Sequence, residues 1–79
     1  MRIDDVAFDR YRTGVLAPAQ QRTTAALAGY GSGSVSLASL FEARHAEVQA
    51  RRRLLDLQRQ LAIARARLAF EPLLQGDAP

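Results

Sequence analysis

From Ser36 to Glu71 the chain contains neither proline nor glycine, and its apolar residues keep one rhythm throughout. Leu40, Ala43, Glu47, Ala50, Leu54, Leu57, Leu61, Ala64 and Leu68 follow one another in alternating steps of three and four. This is a heptad seam, broken only by Glu47, and it predicts one long helix laid against another. A second row beside it, Phe41, Val48, Leu55, Ala62 and Ala69, repeats every seven residues. Together the rows are wider than the face a two-stranded coiled coil needs, so the helix has apolar surface for more than one neighbour. Pro72 is expected to end it, because proline pushes the residue before it out of the α region. At about 1.5 Å per residue such a helix is roughly 50 Å long.

The segment before it is shorter and less regular. Ile3 to Arg12 carries Ile3, Val6, Ala7 and Tyr11 among polar residues and suits a short amphipathic helix. Gly14 and Pro18 then lie close together, which predicts either a break between Gly14 and Ala17 or a kink there. Ala19, Thr23, Ala26 and Tyr30 form a helical stripe that Leu16 extends backwards, with Gly29 as its natural stop. The expected architecture is all-α: a short lead-in helix over 1–15, and a long antiparallel helical hairpin of coiled-coil type over 16–71. Its tip turn falls at 29–36, and a flexible tail covers 72–79. The first arm cannot cover the whole seam of the second.

Seventy-nine residues with no cysteine and no Cys/His cluster leave helix packing and association as the routes to stability. The formal charge is +3, and every Lys/Arg position is an arginine. Those arginines fall on the side of the long helix away from the seam. A solvated face, helped by i,i+4 pairs such as Glu47 with Arg51, competes with a lipid- or nucleic-acid-binding stripe. No aromatic residues interleave with the arginines for base stacking, so no nucleic-acid partner is expected. No stretch has the length of a membrane span, and "MRIDDVAFDR" lacks the apolar core of a signal peptide. His45 stands without a second histidine or a cysteine, which argues against a metal site. There is no nucleophile–base pair, phosphate loop or converging carboxylate pair, so neither an enzyme nor a cofactor is expected.

The turn "AGYGSGSVSL" is longer than a link between two helices requires. Taken with its flanks, "AALAGYGSGSVSLASLFEARHAEVQARRRLLDLQRQLAIARARLAF" resembles the last helical hairpin of TolC-like outer-membrane efflux channels. The family pattern is a helix ending in Ala-x-Tyr, then x-x-Gly, a small polar residue, and a helix opening with Leu-(Asp/Glu)-Ala. Ala28, Tyr30, Gly33, Ser34 and "FEAR", with Glu42 and Ala43, occupy those positions. Upstream, "YRTGVLAPAQQRTTAALAGY" is similar to the heavy-metal-efflux branch, with its Tyr-x-x-Gly-x-x-x-Pro-x-Ala run. The resemblance extends over roughly 11–76.

The resemblance implies that this hairpin is a fragment of an α-helical barrel in the periplasm, below the outer membrane. The complete protomer would assemble as a homotrimer, anchored through β-strands that this chain lacks. Its partners would be a periplasmic adaptor protein and an inner-membrane pump. Gly33, Ser34 and Val35 would form the tip that docks the adaptor, and Tyr30 would lie near the channel mouth. Glu42 would contribute to a ring of carboxylates at the entrance. The neighbouring acidic position holds Ser39, and where some relatives carry a locking arginine this chain has Val35. From the residues alone, Ser39-x-x-Glu42 reads equally well as a capping box. The alternative to an efflux-channel segment is a free-standing, self-associating hairpin acting as an interaction module, on anionic surfaces for example.

Overall fold

A computed structural model describes residues 2–76, and the side chains of 6–73. Three α-helices account for most of it: α1 (Arg2–Tyr11), α2 (Ala17–Gly31) and α3 (Leu37–Gly76). A π-helical segment, Arg12–Leu16, joins the first two without a break. No strand occurs among the described residues. The first arm folds back along α3 as a hairpin measuring 71 × 20 × 10 Å.

Chemistry explains why the first arm passes through a π-turn and does not break. Pro18, early in α2, has no N–H to give the Gly14 carbonyl, and its ring would crowd that carbonyl in a regular α-helix. Over this stretch the ladder widens, and the Ala17 N–H bonds the Arg12 carbonyl instead. A π-turn of this kind absorbs a local mismatch while the axis continues.

The hairpin core is thin. Leu16 and Ala19 from the first arm meet Ala50 and Leu54 of α3, with Phe8 and Tyr11 packed at the edge. Ala43 is buried nearer the tip. Small residues at the seam let the two helices approach closely, but they contribute little apolar area. Accordingly the exposed surface is 6191 Å², against about 4,700 Å² for a compact protein of this mass.

The seam follows the heptad reading as far as the first arm reaches. Leu57, Leu61 and Ala64 are half-buried beside α1. Leu68, the last seam residue, is 62% exposed, because α3 extends past the start of α1. The second row lies outside the hairpin contact, with Phe41 and Leu55 exposed.

Two boundaries differ from the sequence reading. α3 does not stop before Pro72 but continues to Gly76 with Pro72 inside it. Pro72 takes from the Leu68 carbonyl its helical donor, and residues 68–73 are all exposed, so the loss falls where the backbone is open to solvent. Residues 72–76 of the expected tail are therefore helical, and 77–79 lie outside the described residues. At the other end α2 runs through Gly29 to Gly31, so the turn is confined to 32–36.

Candidate functional site

The tip is built by a chain reversal that closes on one carbonyl. α2 ends in a Schellman motif: the Ser34 N–H donates to the Gly29 carbonyl at 2.8 Å and the Gly33 N–H to the Tyr30 carbonyl at 3.1 Å. Gly33 occupies the left-handed position this motif requires, with φ +83°, the conformation that L side chains resist. The Gly29 carbonyl also accepts the Val35 N–H at 3.1 Å and the hydroxyls of Ser32 and Ser34 at 3.1 and 3.2 Å. Both tip serines thus serve the turn.

Gly29 has a role that its reading as a helix stop did not contain. A β-carbon there would collide with Val35 Cγ2, and would lie 3.1 Å from Val35 Cβ and 3.2 Å from Ser34 Oγ. The returning backbone packs directly over this position, so Gly29 is the close-approach glycine. Gly33 is the reverse case: a β-carbon built on it meets nothing within 4 Å, and its backbone angle alone explains the residue. Gly29 and Val35 are six residues apart, and nothing in either identity announces the contact.

α3 starts with Ser36 as its N-cap. Its hydroxyl oxygen accepts the Ser39 N–H at 3.1 Å and donates to the Ser39 hydroxyl at 3.1 Å. The cap is therefore Ser36 with Ser39, and the Ser39–Glu42 capping box does not form, because Glu42 already lies beyond the first turn. Glu42 is exposed and forms no ion pair among the described residues. Tyr30, Leu37 and Phe41 are also exposed, at 45%, 44% and 61%. The tip thus places the docking candidates Gly33, Ser34 and Val35 at the apex, with Tyr30, Ser39 and Glu42 just behind them on the two arms.

Further along, Glu47 is 7% exposed between the arms. Arg44 and Arg51 bond its two oxygens at 3.4 and 3.0 Å. Across the seam the Thr23 hydroxyl lies 3.1 Å from both the Ala19 and the Ala43 carbonyl and also faces the carboxylate, with one proton shared among the three acceptors. The Thr23 hydroxyl, followed by the two guanidiniums, holds the Glu47 carboxyl below the usual carboxylate range, and outweighs its lost hydration. The one polar break in the heptad seam is therefore an interhelical polar contact. The sequence showed the break but not its partner, since Thr23 reads as an ordinary stripe residue.

Among the described residues no group of acidic, histidine or cysteine side chains could hold a metal, and no helix is long and apolar enough to cross a membrane. The chain matches no family model, and neither a curated protein nor a solved structure matches it.

Proposed function

We propose that this hairpin is the periplasmic tip of an outer-membrane efflux-channel subunit, docking an adaptor protein and gating the exit duct of a tripartite pump. The observation that carries the reading is the apex. It is a tight reversal with a left-handed Gly33 and open space around Gly31 and Gly33, so that another protein's backbone can approach. It stands above an exposed Tyr30 and a Glu42 that forms no ion pair among the described residues. The order of short motifs from Tyr11 to Gly76 supports the same reading. In it the hairpin is part of a complete protomer, one of three in a homotrimer, and Glu42 repeats around the entrance as a ring favouring cations.

The test is made in a complete protomer carrying this hairpin. Gly33→Glu places bulk at the apex and is expected to abolish adaptor cross-linking and efflux. Gly33→Asn, whose side chain tolerates the left-handed region, separates bulk from backbone strain and should weaken cross-linking without loss of folding. Glu42→Gln should leave cross-linking intact and lower cation preference in single-channel recordings. Normal cross-linking by Gly33→Glu would show that the apex is not the docking surface.

A second reading is favoured by one observation, the large apolar side chains left uncovered along α3. In that reading the chain is a free-standing hairpin that associates with itself. Discovery of stable oligomers that need no other component would favour it.

A further inference from the structure

The second apolar row of α3 is unpartnered in the hairpin, and its surroundings specify what it fits. Phe41 and Leu55 are exposed at 61% and 58%, and Val48 between them is half-buried. On a helix each side chain is flanked by those three and four positions away. For Val48 these are Arg44, His45, Arg51 and Arg52; for Leu55 they are Arg51, Arg52, Gln58 and Arg59; for Phe41 they are Leu37, Ala38, Arg44 and His45. No carboxylate stands among them. Glu47, the acid that pairs with Arg44 and Arg51, is buried on the seam side and consumed there. Arg52 and Arg59 are exposed and have no ion pair among the described residues. The row is thus one apolar side chain wide and cationic on both edges.

We infer that this row docks an amphipathic helix from another protein, one that carries carboxylates on both sides of its own apolar stripe. A repeat of seven places one anchor every two turns, which is the spacing by which a helix lies along a groove or ridge. Carboxylates on one edge would reach the exposed guanidiniums of Arg44 and Arg51, each of which keeps further N–H donors beside its one bond to Glu47, and on the other edge Arg52 and Arg59. A second copy of this chain does not meet the requirement. α2 contains no Asp or Glu; on α3 Glu47 is buried at the seam, Glu42 and Asp56 lie in a single row, and Glu71 stands apart near the far end. α1 has ten residues, about 15 Å of helix, whereas Phe41 to Leu55 spans about 21 Å. An anionic bilayer fits less well, because an interfacial helix needs a broad apolar face rather than a line hemmed by guanidiniums.

The experiment titrates the full chain into a fluorescently labelled synthetic helix of about 20 residues, long enough to hold helical structure. The peptide has leucines at heptad spacing and glutamates on both flanks; a control replaces every glutamate by glutamine. The glutamate peptide is expected to bind about tenfold more tightly, with the preference shrinking at high salt. Arg52→Gln with Arg59→Gln should weaken it about fivefold, and Leu55→Ser about tenfold, with circular dichroism showing that each variant is folded. These positions are exposed, so the hairpin tolerates the changes. Equal affinity for the two peptides, or unchanged affinity in the variants, overturns the inference. So does co-sedimentation with phosphatidylglycerol vesicles in the absence of peptide binding, which assigns the row to a membrane, and so does loss of self-association on Leu55→Ser, which assigns it to a second copy.

Discussion

At the scale of single residues, three glycines within five positions have three different physical reasons, and the difference is measurable. Gly29→Ala forces Cβ into Val35, a branched side chain with little room to swing away, and overpacking of this kind costs about 1–3 kcal/mol. Gly33→Ala meets no atom but must hold φ +83°, a left-handed conformation costing an L residue about 1–2 kcal/mol. Gly31→Ala meets nothing within 4 Å and has no special backbone angle, so it should fall within about 0.5 kcal/mol of the parent. Urea midpoints of the three variants give the order directly. If Gly31→Ala costs as much as Gly29→Ala, the return of the chain over Gly29 is wrong. Sequence could nominate the turn, because glycines and serines cluster only there. It could not sort the glycines, since the sorting depends on a contact with Val35 and on one dihedral. The same holds for Ser36, whose capping role shows only once the first residue of α3 is fixed.

At the scale of elements, the pairing of α2 with α3 turns on Glu47. Its folded pKa is depressed, so between the folded and unfolded values the unfolded chain binds more protons than the folded one. The sign is therefore fixed: the stabilising contribution is complete above the unfolded value of about 4.3, and is lost as pH falls through the folded value beneath it. Melting followed by circular dichroism should move to lower temperature as pH falls from 5 toward 2 in the parent, and less in Glu47→Leu. At neutral pH Glu47→Leu should raise the melting temperature. Leucine completes the seam, the Thr23 hydroxyl keeps the Ala19 and Ala43 carbonyls, and the arginines remain in water. A lower melting temperature in that variant would mean the polar contact outweighs an apolar seam. Much of this level was legible beforehand: the hairpin, the heptad face and the turn all follow from periodicity. What proved illegible was how proline behaves in context. Pro18 is absorbed by the π-turn before it, and Pro72 by a stretch of helix exposed over 65–73, so neither acts as a terminator.

At the scale of the whole molecule, the hairpin is an open rod. Its radius of gyration is 19.3 Å, where a compact chain of this length would have about 12 Å. The excess lies mainly in α3, which outreaches the first arm and leaves Leu68, Phe70 and Leu73 exposed at 62%, 58% and 65%. Burying each such side chain is worth about 1.5–3 kcal/mol. Two chains joined end to end through these residues would bury six of them, roughly 9–18 kcal/mol gross, against an association cost of about 4–15 kcal/mol. The midpoints of the two ranges leave about 4 kcal/mol, which corresponds to a weak, reversible dimer near millimolar concentration, formed at the end away from the tip, where neither the arginine-flanked row nor the apex is occupied. Sedimentation equilibrium of the full chain at roughly millimolar concentration should show this dimer, and Leu68→Ser with Leu73→Ser should return it to monomer while the helical signal is kept. Both positions are outside the hairpin contact, so the change removes intermolecular burial and little else. A parent chain that stays monomeric and melts cooperatively would show that the thin core between the arms suffices. A double variant that still dimerises would move the contact to another face of α3.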